Sequence, residues 1–204
     1  TSSTSLNADE LKNGNYKSAM HYLNITDSVL EQYLAIDQQP SLMLEKAQLA
    51  LDNNEINYAL SLISPLNSYE ALAIHAECAF RLNQLNKCLE LCDNILSNFE
   101  LPDVMKGTIH NLMGLCHQRS QVERAAEHYS LAIEYFRKGF NLRNLSRAQI
   151  NLATLFIYME ELDEARSLLS LAEEVCVKIN DVIGLKTISK NKNHIDRLII
   201  SQYM

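Results

Sequence analysis

Polar corners interrupt apolar stripes at helical spacing along most of this chain. Leu112, Met113, Cys116, Val122, Ala125, Tyr129 and Ala132 are matched 40 residues later by Leu152, Ala153, Phe156, Leu162, Ala165, Leu169 and Ala172. A fixed period of that length marks a repeat architecture. With Ala125 and Ala165 as anchors, the same pattern fits upstream at Ala19, Ala59 and Cys88. Three residues before the anchors stand Tyr16, Ile56, Leu85, Val122 and Leu162; four after stand Leu23, Ile63, Cys92, Tyr129 and Leu169. These offsets place each anchor and its apolar neighbours on one stripe of a helix. A small anchor lets a second helix lie close, where a large side chain would hold it off.

Polar tetrads precede the anchors: Lys12–Asn15, Asp52–Glu55, Asn83–Asn86, Gln118–Gln121 and Glu160–Asp163. Asn and Asp accept turn geometry, so these stretches predict tight corners whose polar side chains cap the helix that follows. The anchor-to-anchor intervals are 40, 29, 37 and 40 residues. The short interval contains Pro65, which stops a helix early, while Pro40 and Pro102 fall where new helices begin.

The anchors and their offsets resemble the tetratricopeptide repeat (TPR), a helix–turn–helix unit with small residues where its two helices touch. The resemblance covers essentially the whole chain. It implies an all-α, right-handed superhelical solenoid of antiparallel hairpins at 1–39, 40–67, 68–100, 101–140 and 141–180, with a terminal helix over 181–203. The intervals near 40 resemble the extended repeats of bacterial signalling and regulatory proteins, such as peptide-sensing regulators and helical-repeat diguanylate cyclases. Only Ser5–Leu11 remain of the first leading helix and the chain begins at Thr1, so a piece of a longer protein is expected.

Composition narrows the function. The 204 residues are 47% hydrophobic and 21% charged, with 5 Gly and 3 Pro, which suits a helical globular chain. No apolar run approaches the roughly 20 residues of a membrane span. Residues 1–100 carry 5 basic and 13 acidic side chains, and residues 101–204 carry 13 and 12. The acidic first half opposes nucleic-acid binding. Arg137, Lys138, Arg143 and Arg147 stand in a stretch, Tyr135 to Met159, that holds no acid. Its plain reading is a helix end whose dipole favours cations; its sharper reading is a dock for an acidic partner. Five cysteines, an odd count without a secretory signature, suggest free thiols in a reducing, cytoplasmic setting. Cys88 and Cys92 fill repeat slots held elsewhere by Ala and by Tyr or Leu, so they read as small buried hydrophobes rather than ligands.

Chemistry-bearing motifs are missing: there is no glycine-rich phosphate loop, Cys-x-x-Cys pair or His-Glu-x-x-His helix. His75, Cys78, Cys116 and His117 could approach one another, but four convergent ligands are not evident. No catalytic, metal or cofactor residues are assigned. In a solenoid of this kind the leading helices line the inner wall. In register with the anchors, Phe80, Arg81, His110, Gly114, His117, Arg147, Asn151 and Tyr158 form the expected partner-binding groove. Gly107 and Gly114 suggest a hollow on either side of His110, flanked by Tyr158 and Phe80; alternatively Gly114 permits close helix packing. The carboxylate clamp of chaperone-binding relatives is matched by Asn151, and by Lys186 and Lys190 if the last helix is in register. It fails at His110 and Gly114. The resemblance therefore implies a non-catalytic module that binds a protein or peptide, as the regulatory or scaffold region of a larger signalling protein. The alternative is a small-ligand sensor whose output domain lies elsewhere, and self-association through the exposed ends is a third possibility.

Overall fold

A computed structural model describes residues 39–202, and all of its regular structure is helical. The hairpin expected over 1–39, with Tyr16, Ala19 and Leu23, lies outside the described residues. The chain divides into two compact units, Thr1–Leu66 and Asn67–Met204.

In the first unit, α1 (Pro40–Asp52) packs on α2 (Ile56–Ile63). Pro40 opens α1, where its missing N–H is harmless. Ala47, Ala50 and Leu51 of α1 and Ala59 and Ile63 of α2 are buried. Pro65 follows two residues after the end of α2, and this helix is the shortest at 8 residues.

The second unit runs α3 (Tyr69–Arg81), α4 (Leu85–Asn98), α5 (Asp103–His117), α6 (Val122–Lys138), α7 (Leu142–Tyr158), α8 (Leu162–Lys178) and α9 (Val182–Gln202). Each helix packs on its sequence neighbours, and α3 lies beside α5 and α7 beside α9. Leading helices therefore form one layer and trailing helices another. Three successive apolar clusters make the core, the first over α3 to α5, the second centred on α6 and α7, the third over α7 to α9. Such a core is quasi-one-dimensional, each hairpin buried only by its neighbours. The anchors Cys88, Ala125 and Ala165 are fully buried. All five cysteines are buried free thiols. Burial raises the Cys78 thiol above its ordinary range, and a hydrogen bond to Cys88 together with burial raises that of Cys116.

The 40-residue period has a plain geometric origin. Helices α6, α7 and α8 are each 17 residues long and are joined by three-residue corners. The middle residue of the corners at Phe140, Glu160 and Asn180 is left-handed, with φ of 52°, 62° and 54°, as are Asn54 and Asn83 earlier in the chain. The next N–H then reaches back five residues: Asn141 to the Phe136 carbonyl, Glu161 to Phe156 and Asp181 to Cys176, each at 2.9 Å. This is the Schellman closure of a helix C-terminus.

The expected capping is displaced. No side chain caps α2, α4, α6 or α8, the trailing helices that follow the polar tetrads. Caps occur instead on leading helices, from Ser68 to the Ala71 N–H (3.3 Å), Asn141 to Asn144 (3.1 Å) and Asp181 to Gly184 (3.0 Å). The Asn residues of the tetrads at 54 and 83 spend their conformational tolerance on positive φ, and Glu55 and Gln84 occupy the N-cap positions behind them.

The hollow expected beside His110 does not exist. A Cβ added to Gly114 would lie 2.6 Å from the Tyr129 ring, and one added to Gly107 would lie 2.8 Å from Phe136. Both glycines are places where α6 rings press onto the α5 backbone. The fully buried Tyr129 completes this contact by donating its hydroxyl to Gln118 Oε1 at 3.1 Å. Gly114→Ala should therefore destabilise the second unit by about 1–3 kcal/mol through overpacking, although alanine is the better helix former by about 1 kcal/mol. Urea unfolding checks it: Tyr129→Leu should recover part of the loss in the double variant, and simple additivity would place the ring elsewhere.

Candidate functional site

The exposed side of the leading helices α5, α7 and α9 carries a row of amides. Asn111, Asn151 and Asn191 are half-buried and follow each other at 40 residues, one per leading helix. Asn151 Nδ2 donates to Asn111 Oδ1 at 3.1 Å, and Asn191 Nδ2 donates to Thr154 Oγ1 at 2.9 Å. The Thr154 hydroxyl in turn donates to the Ile150 carbonyl at 2.8 Å. An amide offers two donors and two acceptor lone pairs, so each of these side chains keeps hydrogen-bonding capacity beyond the row.

A shallow hollow of about 250 Å³ opens beside the row, lined by Gln118, Arg119, Thr154, Leu155 and Tyr158. Tyr158 is 75% exposed and forms one side of the opening. Of the predicted groove residues, Asn151 and Tyr158 thus belong to one continuous surface on α7. Arg147 is exposed one turn before Asn151 on the same helix. Phe80 is half-buried against the first core cluster. The Arg81 guanidinium meets Glu77 of its own helix, with Nη2 to Oε1 at 2.6 Å. Gly114 is buried beneath Tyr129 and offers no surface to a ligand.

His110 and His117 face α6 and join a ladder of rings. The His117 ring lies nearly parallel to that of His128 with centres 5.5 Å apart, and His110 to that of Tyr135 at 5.6 Å. Between them the His110 and His128 centres are 5.4 Å apart, with their Nδ1 atoms 3.2 Å from each other. The two nitrogens point toward one another, which one N–H and one lone pair satisfy. Such a bond leaves no pair of lone pairs converging on a common point. Among the described residues, no three His, Cys, Asp or Glu side chains are grouped as a metal would need.

Electrostatics follow from burial. Burial, then the neighbouring His128, lowers His110 to about 4. Burial, then His117, lowers His128; burial, then Arg124, lowers His117. Asp93 opposes the shift at both of the latter, and Glu127 at His128, without reversing it. Burial thus favours the neutral form of all three imidazoles in the folded protein.

The carboxylate-clamp match at the last helix also fails in register. Helix α9 starts at Val182, 40 residues after α7 starts at Leu142. Thr187 and Asn191 therefore stand where Arg147 and Asn151 stand on α7, and Lys186 and Lys190 are one residue off.

Sequence reasoning had not singled out His128 and Tyr135, which sit on the trailing helix and enter only through the antiparallel pairing of α5 with α6. Asn191 and Thr154 were also unpartnered in the sequence view. The 40-residue spacing of the three asparagines was the available signal.

Comparison with known proteins gives fold but little more. No family model matches the chain, and no curated protein matches it. Among solved structures, MamA 41-end from Desulfovibrio magneticus RS-1 matches 82% of this chain and 89% of its own, with a TM-score of 0.54 and 13% identity. The likeness shows the fold class that the repeat residues imply: an all-α, TPR-like solenoid of antiparallel hairpins.

The histidine ladder makes stability sensitive to acid. Because the folded pKa values are depressed, the unfolded chain takes up protons that the folded chain refuses once pH falls below about 6.5. Stability should fall as pH drops from about 6.5 towards 4, and these groups add no further loss below that range. Urea unfolding at several pH values would show it. His110→Gln should flatten the slope, and an unchanged slope would assign the acid sensitivity to other groups.

Proposed function

We propose that this protein is a non-catalytic binding module that holds an extended protein segment along the leading helices of its second unit, as the regulatory or scaffold region of a larger signalling protein. The observation that carries this reading is the amide row Asn111–Asn151–Asn191. Extended backbone presents N–H and C=O groups in alternation, and a row of side-chain amides is suited to meeting both kinds of group at once. The hollow beside Thr154 and Tyr158 would take one side chain of the bound segment, with the Tyr158 ring as an apolar contact and Arg119 and Arg147 favouring nearby acids.

A small-ligand sensor is the second reading, and the same hollow is the observation for it. Its volume of about 250 Å³ falls below the roughly 300–1,000 Å³ of usual small-molecule pockets. That magnitude favours a single side chain over a whole metabolite. The buried thiols fit a reducing, cytoplasmic location.

Peptides selected from a random display library against the protein test the reading. Asn151→Ala should weaken their binding by about tenfold or more, equivalent to about 1.4 kcal/mol. Tyr158→Ala should weaken only those with a side chain in the hollow. Helicity should be unchanged in both. Peptides that bind the wild type and Asn151→Ala equally would move the site off the amide row.

A further inference from the structure

The corners joining α6 to α7 and α8 to α9 lie on the same edge of the second unit, because α7 and α9 pack side by side and begin 40 residues apart. This edge exposes large apolar side chains: Phe140 is 89% exposed, Ile183 81%, Val182 73%, Val177 59% and Leu142 42%. The preceding corner of the same unit behaves differently. There Phe99 packs edge-on against Tyr69 with ring centres 6.1 Å apart, and Leu101 is buried. Exposure is thus a property of the α6–α7 and α8–α9 corners and not of the fold.

Phe140 is the sharpest case. It holds φ at +52°, a conformation that costs a β-carbon-bearing residue energy and suits Asn or Gly. Gly139 cannot relieve it by being replaced, since a Cβ there would lie 2.6 Å from Val104. At the equivalent point of the next corner stands Asn180, with φ of 54°.

The apolar tips are set among cations. Arg137, Lys138 and Arg143 surround the first corner, and Lys178 and Lys186 flank the second. Lys138 pairs with Glu134 at 2.6 Å, and Asp181 is engaged in capping α9; the other four cations make no ion pair among the described residues. The helix-end explanation suits Arg137 and Lys138 in the last turn of α6. It fails for Arg143, which sits in the first turn of α7, where the dipole disfavours a cation. An additional hairpin after α9 would not cover Ile183 either. Arg143, its counterpart on α7, remains exposed with the trailing helix α8 in place.

We propose that this edge docks on an anionic phospholipid surface, with Phe140, Val182 and Ile183 entering the interface and Arg137, Arg143, Lys178 and Lys186 meeting headgroup phosphates. Protruding apolar tips ringed by Lys and Arg are the pattern of interfacial binding. The tips project from corners and helix ends, so they suit a deformable layer better than a partner that must supply a matching pocket. No described helix is long and apolar enough to cross a membrane, so docking is peripheral.

Flotation with vesicles of equal parts phosphatidylserine and phosphatidylcholine tests the proposal, beside vesicles of phosphatidylcholine alone. Binding is expected to the first only, and to weaken as salt rises. Phe140→Asn with Ile183→Ser should reduce it about tenfold or more. Phe140→Asn alone should keep or raise the melting temperature, which separates lost docking from lost folding. Arg137→Gln with Arg143→Gln should reduce binding, whereas Asn151→Ala should leave it unchanged. Failure to float with the anionic vesicles, equal binding by the Phe140/Ile183 variant, or equal binding to neutral vesicles would each overturn the proposal. Salt-sensitive binding of poly-glutamate at this edge without vesicle binding would overturn it in favour of an acidic protein partner.

Discussion

Two helices of a hairpin lie flush only where one of them presents a small side chain, and each hairpin among the described residues is built on such a place. Ala59, Cys88, Ala125 and Ala165 are fully buried, each the fourth residue of its trailing helix. In the hairpin of α5 and α6 the economy is taken further, since Gly107 and Gly114 bare the α5 backbone to Phe136 and Tyr129. In the second unit, close packing at these points gathers the apolar stripes of neighbouring helices into three successive clusters. Because each hairpin is buried only by the next, a fault at one contact is felt mainly by its neighbours.

The corners are the second constraint, and they explain why the period is so regular. A left-handed residue in the middle of a three-residue corner closes the preceding helix and starts the next at a fixed angle. Repeated at Phe140, Glu160 and Asn180, it holds helices of equal length in register, so that residues 40 apart face the same way. That register places Asn111, Asn151 and Asn191 in a row along the leading helices. It also places Leu142 above Val182 at one edge. Amide row and edge are thus two consequences of one corner geometry.

The second unit separates its chemistry by location. The amide row is polar, and the half-open hollow by Tyr158 beside it is mainly apolar. The ring ladder of His117, His128, His110 and Tyr135 is a packing element in which the Nδ1 atoms of His110 and His128 satisfy each other. The α6–α7 and α8–α9 corners carry protruding apolar groups and cations, and Phe140 sits there against its backbone preference. Stability alone would favour Asn at that position, as at Asn180.

The sequence by itself determined the helical class, the anchors and the period, because these depend on spacing along one helix and on residue size. Ala125 and Ala165, Pro40 and Pro65, and the burial of Cys88 and Cys92 were all readable on that basis. Tertiary structure decided which side of each leading helix stays open. Gly114 admitted either a hollow or close helix packing and proved to be the floor beneath Tyr129; His110, expected in the groove, is hydrogen-bonded to His128, 18 positions away. Capping moved from the polar tetrads to Ser68, Asn141 and Asp181, since the Asn residues at 54 and 83 were needed for positive φ. The physical reason is common to these cases. Helical spacing tells which residues share a face, but only the rotation and depth of the neighbouring helix decide whether that face meets a ring, a hydrogen-bond partner or solvent.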